Sequence, residues 1–562
     1  MASNKFHKRI ICFFWALSIS ATISASNQMD KDKGQSQANQ QNITDPTIEK
    51  IIELGQKDNR TTEWLDILCH RFGGRITGSD ACSNVEDWCE HMFKKWGLEV
   101  WRQEVGTLPV GFNRGPWFGR MVGGNGMTLH FVTPSYTAGT KGVERGHVVI
   151  EPQTQEEFDK MKGTLKGAWV LISGKSKGWP IDFSAKADSA RAEIIAFNSE
   201  VSRQNREIIN HNRMVAAASN KAVADNTKHT DNKNKKENTL QKKELIKFKE
   251  EPALFYKQMK EAGIRGIIQA ASVPITSLYD RNNLMDMSFE NLPDLPDIKL
   301  DEAQYDIIKK MVERKEYFQL EFDIRNHFKM GPVKFYNIIG VMRGSEYPDE
   351  YVMAGGHIDS FDSATGGVDC GVGLTPTLEA ARLIAEADGK PKRSILFCLW
   401  AAEEFGLLGS EHFVKSNPDK LNKISNYFNR DGGPLVPFEI TVPPAMYDDF
   451  AAIEPALNSI NPDFPFEVKM REGKAPKFPK RSGGSDHAPF AMKGVPVFYP
   501  NLGDPKGYNF QYMEIWHTEN DLFNKSIPEY QEHSATVTAV LLYHLANLDH
   551  LLSREGMYEE TK

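Results

Sequence analysis

Apolar residues recur at helical intervals twice near the start of the chain, first at Ile48, Ile51, Ile52 and Leu54 and then at Val85, Trp88, Met92, Phe93 and Trp96. Both stretches are expected to be amphipathic helices, separated by the glycine-rich turn RFGGRITGSDAC. Glu99 to Val105 alternates as a strand does. Short strands are expected at Met127–Val132, Gly146–Ile150 and Gly167–Ile172, with a buried strand resuming at Gly266. From Asn337 the pattern becomes rhythmic. It gives strands at Asn337–Met342 and Tyr351–Ala354, a helix over Thr375–Glu386, and the almost wholly apolar strand Ser394–Trp400. A helix through Phe413, a strand at Pro496–Tyr499 and a long helix over Ser534–Leu552 follow. Ser394–Trp400 reads as a strand buried on both faces. Strands alternating with helices imply an α/β protein: a mixed, mostly parallel central sheet flanked by helices, with ligands beyond the carboxyl ends of its strands.

Between those two rhythmic regions the character changes. Residues 112–328 are expected to form a smaller β-rich α+β domain inserted into the larger one, which would comprise residues 47–111 and 329–555. Within it, Val201 to Lys249 is crowded with Lys and Asn. Acidic residues are interleaved and no aromatic platform accompanies them, so a solvated helix or loop is favoured over a nucleic-acid arm. Residues 26–46 are polar and read as a disordered leader. Before them, Lys5, Lys8 and Arg9 precede the apolar run Ile10–Leu17 and then small residues, the order of a signal peptide over residues 1–25. Export to the periplasm or beyond the cell follows.

Composition narrows the function. With 562 residues, 40% hydrophobic and 25% charged, the chain has the make-up of a soluble globular protein of about two to four domains. A net charge of -7 gives little support to a nucleic-acid partner. No run approaches the ~18 apolar residues of a spanning helix after the first segment. Cys12 lies in that segment, leaving Cys69, Cys82, Cys89, Cys370 and Cys398. An odd number is no disulfide framework, although Cys82 and Cys89 are open to pairing or to remaining buried thiols.

The candidate chemistry sits just past the apolar strands. His357 and Asp359 occur in GGHIDS, and Asp369 in GGVDCGVG, where glycines allow close approach. Glu403 and Glu404 follow the apolar strand and are expected to open the next helix, Asp431 follows YFNR, and His517 lies in IWHTEND. Two adjacent carboxylates repel unless a cation or a shared proton relieves them, so one ligating metal and the other moving protons is a natural solution. Asp359 stands two residues from His357, where it is expected to orient the ring, and joins Glu403 in the catalytic set.

In order, GGHIDS, GGVDCGVG, LWAAEEFGLLGSEHF, NRDGG, SGGSDHAPF and WHTEND resemble the motifs of the co-catalytic zinc exopeptidases. That family includes leucine-type aminopeptidases of bacteria and the glutamate carboxypeptidases. RFGGRITGSDAC is similar to the family's R-x-x-GS segment, and residues 112–328 resemble a protease-associated insert. The resemblance implies two zinc ions, replaceable by cobalt or manganese, bridged by Asp369. His357 and Asp431 would complete one, Glu404 and His517 the other, leaving Glu403 as general base for hydrolysis of terminal peptide bonds. Peptides are the implied substrates. A homodimer is compatible with the sequence, whereas nucleic acid and membrane insertion are not expected.

The chain departs from the pattern in two places. Cys370 stands where many relatives carry a second acid, and Trp516 stands where some aminopeptidases carry Tyr. His487, Arg481 and Trp516 are candidate substrate contacts, and Asp521 a candidate for orienting His517. A single-zinc glutaminyl cyclase and a non-catalytic peptide-binding relative are the rival readings. The first does not require both His357 and Asp431, and the second should have lost a ligand or the base.

Overall fold

The computed structural model describes residues 45–226, 241–481 and 483–559. The expected signal segment and residues 26–44 of the expected leader lie outside the described residues. Asp45 is ordered as a helix cap: its carboxylate accepts the Thr47 N–H at 2.8 Å and opens α1 (Pro46–Lys57), with Pro46 at the first helical position. In α2 (Asp80–Lys95), Ser79 is the cap, its hydroxyl accepting the Cys82 N–H at 3.0 Å. The apolar stripes seen in sequence are the buried faces of these helices.

Six strands form the central sheet: β1 (Glu99–Asn113), β2 (His327–Met342), β3 (Tyr347–His357), β4 (Arg393–Trp400), β5 (Ile424–Asn429) and β6 (Val497–Phe498). Their spatial order is β1-β2-β4-β3-β5-β6. β1 and β2 are antiparallel, as are β2 and β4, while β4, β3, β5 and β6 run parallel. Every residue of β4 is buried. Ile395, Phe397 and Leu399 face the core under α3 (Gly371–Glu386) and α4 (Pro528–Ala546), while Leu396, Cys398 and Trp400 join Phe413, Tyr427 and Phe490 on the other side. Burying each large apolar side chain stabilises the fold by ~1.5–3 kcal/mol, so this strand anchors the sheet.

Sequence periodicity misplaces some boundaries. α3 begins at Gly371, four residues before the expected start, and the closing helix spans 528–546 rather than 534–552. Glu403 and Glu404 lie in a turn; the next helix starts only at Leu408. Ala402 (φ 54°) and Leu407 (φ 61°) bracket that turn in the left-handed region, so the helix does not extend back through the glutamates.

Residues 117–324 build two further sheets. Phe131–Val132, Asp297–Asp301, Gly266–Ala271, Trp169–Ser176 and Val148–Ile150 form a five-stranded sheet, parallel except for its first pair. Trp117–Gly123, Phe318–Ile324 and Glu144–Gly146 form an antiparallel three-stranded sheet. Trp169, Leu171, Ile268, Ile298, Leu300 and Phe322 pack together in this region. Strands 117–123, 297–301 and 318–324 and helices Gln155–Met161 and Glu302–Glu313 were not evident from sequence pattern. β1 and β2 stay paired from Glu99/Val341 to Asn113/His327, so the expected domain limits at 111 and 329 fall inside these strands.

The Lys/Asn-rich stretch begins within a long helix, Ala185–Asn226, and its residues 227–240 lie outside the described residues. Three of its asparagines, seven residues apart, hold a returning segment by its main chain. Asn198 pairs with both backbone groups of Lys249, Asn205 with those of Ile246 and Asn212 with those of Lys243, at 2.8–2.9 Å. Seven helical residues rise ~10.5 Å and three residues of extended chain advance roughly 9–11 Å, so the two periods match.

Cys69, Cys82, Cys89, Cys370 and Cys398 are all buried free thiols, so Cys82 and Cys89 do not pair. No helix among the described residues is long and apolar enough to cross a membrane.

Candidate metal centre

The carboxyl ends of three neighbouring parallel strands deliver the expected residues to one place. β3 ends on His357, β4 leads into the Glu403–Glu404 turn, and β5 leads to Asp431. Asp369 follows on the loop between β3 and α3, and His517 arrives from the loop before α4.

Asp369 lies between the two imidazoles. One carboxylate oxygen is 3.2 Å from Nε2 of His357, and the other is 3.7 Å from Nε2 of His517. Asp431 approaches His357 Nε2 at 3.8 Å, and Glu404 approaches His517 Nε2 at 3.1 Å. His357, Cys370 and Asp431 offer donor atoms within 4.8 Å of one another, as do Asp369, Glu404 and His517, and His357, Glu403 and Glu404. The five expected ligands and the expected base therefore converge, and Cys370 joins them.

The electrostatics of this cluster call for a cation. His357 Nε2 and Glu404 Oε1 are buried with no hydrogen-bond partner. Burial pushes Glu403 and Glu404 well above the usual carboxylate range, with Asp369 adding to the effect on Glu404. Burial raises Asp431, but the ring of His357 more than offsets it and holds that carboxyl below its usual range. Burial opposes charge on His357, yet Cys370 and the carboxylates of Asp359, Asp369 and Asp431 outweigh it and favour its proton strongly. A divalent ion would relieve the crowded carboxylates and occupy the orphaned imidazole nitrogen. Imidazole and carboxylate donors suit zinc.

Surrounding residues hold the ligands by their main chain. Arg75, fully buried, donates to the carbonyls of Ile358 (2.6 Å), Thr365 (2.8 Å) and Gly366 (3.1 Å), fixing the loop that carries Asp369. Gly366 lies in the left-handed region against that guanidinium, where a Cβ would collide with it. The backbone N–H of Ser277, in the loop after strand Gly266–Ala271, donates to the His517 carbonyl at 3.1 Å. The His517 ring packs between Phe361 (centroids 4.5 Å) and Trp516 (4.1 Å).

Two expected roles are corrected. Asp359 does not reach the ring of His357 with its carboxylate, which stays 3.6 Å away; its backbone carbonyl accepts from Nδ1 at 2.9 Å. The Asp359 carboxylate instead accepts the N–H groups of Glu403 (3.1 Å) and Glu404 (3.3 Å) and the hydroxyl of Thr77 (2.9 Å). It is a positioning residue for the glutamate turn rather than a catalytic one. Asp521 turns away from His517 and accepts from the N–H groups of Val368 (2.6 Å) and Asp369 (3.3 Å).

The candidate substrate contacts differ in setting. His487 is partly buried, with Nδ1 unpartnered and its ring edge-on to Tyr499 at 4.5 Å; burial pushes it down to about 4. Trp516 is 42% exposed and able to meet a ligand, whereas Arg481 lies in an exposed loop. Sequence reasoning missed Tyr279, which stacks on Phe405 at 4.3 Å beside the glutamate turn. It also missed Asp486, a buried carboxyl that burial pushes up to about 7. Tyr279 carries no local signal, because the fold brings it from the second set of sheets. Asp486 had one: it stands in the same SDH run as His487.

Comparison with known proteins agrees with this geometry. Residues 337–542 match the family model described as Peptidase family M28. A glutamate carboxypeptidase 2 homolog of Caenorhabditis briggsae is 36% identical over 219 residues, 35% of this chain and 27% of that protein. Carboxypeptidase Q of Mus musculus is 24% identical over 320 residues, 54% of this chain and 63% of that protein. The matches thus span less than two thirds of these relatives. The crystal structure of a Peptidase M28 precursor from Shewanella amazonensis SB2B shares the fold, with a TM-score of 0.51 and 19% identity over 90% of this chain and 97% of that one. The stretch that holds the site's strands, loops and most of the closing helix, residues 337–542, is thus the part of the chain that matches Peptidase family M28.

Proposed function

We propose that this protein is a zinc-dependent exopeptidase that hydrolyses the terminal bond of peptides or dipeptides with a pair of metal ions. The position of Asp369 between His357 and His517 carries this reading, because one carboxylate facing two imidazoles suits a bridging ligand. His357 and Asp431 would complete one ion, and Glu404 and His517 the other. When bound, such ions make water acidic and polarise the scissile carbonyl.

The chain's own residues supply the rest. Glu403, buried beside the ligands yet outside the bridging set, accepts a proton from the attacking water and returns it to the leaving amine. Burial raises its proton affinity, which makes the carboxylate a stronger base than an exposed one. Asp359 fixes the turn so that Glu404 faces His517 while Glu403 faces the cleft. Tyr279, Phe361, Phe405 and Trp516 give the cleft an aromatic wall beside His517 and the glutamate turn. The joint presence of His357 and Asp431 supports the two-metal reading over a single-zinc cyclase.

Dipeptides blocked at one end or the other, with and without chelator, test the proposal. Cleavage that chelator abolishes is expected, together with about two equivalents of zinc per chain. Loss of cleavage on blocking the amine identifies an aminopeptidase, and loss on blocking the carboxylate the reverse. Cleavage that persists in full after metal removal overturns the reading.

A further inference from the structure

Far from the ligand cluster, the long helix Ala185–Asn226 carries a guanidinium in an unusual state. Arg191 is 5% exposed and, among the described residues, donates no hydrogen bond; Nε and Nη1 are both buried and unpartnered. Its nearest carboxylate oxygen, on Asp188, is 3.7 Å away, beyond hydrogen-bond reach. The ring of Tyr256 lies 5.9 Å from it, a cation–π contact that leaves the in-plane donors free. A buried guanidinium with five donors and no acceptor is costly, and other buried arginines here avoid that state. Arg75 is satisfied by three carbonyls, and Arg382 by the carboxylates of Glu379 and Glu386.

Arg191 also stands at a shared wall. It lines one open recess with Ile195, Leu254 and Tyr256, and a second with Lys177 and Trp179. We propose that Arg191 anchors a binding subsite for a small molecule bearing one carboxylate on an apolar body. The guanidinium fork matches a carboxylate with two parallel hydrogen bonds. Ile195, Leu254 and Tyr256 offer the apolar body a dry surface. Asp188, Lys257 and Glu261 line the same recess, so beside Arg191 its charges nearly cancel and a single carboxylate fits better than a dianion such as phosphate.

The test titrates N-acetyl-leucine, N-acetyl-leucinamide and inorganic phosphate into the full metal-loaded chain and into Arg191→Gln, followed by calorimetry. Any binding at the metal centre is common to both proteins, so the difference reports Arg191. N-acetyl-leucine is expected to bind wild type at least about tenfold more tightly than Arg191→Gln, while the amide and phosphate bind weakly to both. Equal affinity in the two proteins overturns the subsite, and phosphate or the amide binding as tightly as the acid overturns the ligand class. Arg191→Met gives a second reading without ligand. Relief of an unpaired charge should raise its Tm, and a lower Tm would mean that the guanidinium is already satisfied, against the proposal.

Discussion

Oδ1 of Asp359 accepts the backbone N–H of Glu403 at 3.1 Å, tying the end of β3 to the turn after β4. The carboxylate with the proposed proton-transfer role is thus placed by another carboxylate that is fully buried. Asp359→Ala should remove this tie and leave the Glu403, Glu404 and Thr77 donors buried, at about 1–3 kcal/mol each where water cannot enter. A fall in kcat with little change in KM is expected, together with a lower Tm. Asp359→Asn, which keeps an acceptor, should recover part of both. Equal behaviour of the two variants would deny the positioning role.

Glu403→Gln should lower kcat by roughly 10²–10⁴-fold or more while zinc content stays near wild type. The amide is close in size, so the fold is undisturbed, but it cannot take a proton. Metal analysis beside kinetics checks both halves, and near-normal turnover would remove Glu403 from the proton path.

Asp369→Asn should reduce occupancy of both metal sites, since its two oxygens face different histidines. Loss confined to one ion, measured by metal stoichiometry, would show that Asp369 does not bridge.

Chelation should lower the Tm of wild type. Without cations, buried Glu404 charges only at a cost beside Asp369, and stabilisation by metal binding to the native state is lost. Thermal unfolding with chelator and after zinc is restored tests this, and a Tm insensitive to both would contradict a resident metal.

A pH effect of another origin is expected at Glu86. Burial pushes its carboxyl up to about 8, although it accepts the Tyr336 N–H at 3.0 Å. An acid whose folded pKa exceeds its unfolded one stabilises the fold at low pH. That contribution is complete below the unfolded value, about 4.5, and disappears as pH rises through about 8. Glu86→Gln should flatten this part of the stability curve, measured by denaturant unfolding at several pH values. An unchanged slope would show that Glu86 is ionised in the native state.

Much of the site was legible because its residues follow apolar strands, and the structure brings His357, Asp369, Glu403, Glu404, Asp431 and His517 together. The limits of legibility are physical. Gly371 and Gly373 look like loop residues, yet they open α3, where a Cβ at Gly373 would strike the Arg430 carbonyl. Glu403 and Glu404 look like a helix start because two acids there suit a dipole, but Asp359 holds their N–H groups in a turn instead. Asp359 and Asp521 were assigned to rings because sequence shows side chains and not the main-chain donors they serve. Tyr279 could not be found at all, since only the tertiary fold places it beside Phe405.

The asparagine ladder of the long helix has a further consequence. Asn198, Asn205 and Asn212 grip peptide groups and ignore what hangs from them, so the segment they hold is specified by spacing alone. Its identities are therefore nearly free to vary: a tag, a label or a run of other polar residues could replace the lysines of 241–249 with the strap still seated. Insertion of one residue, which breaks the match of three to seven, would unseat it.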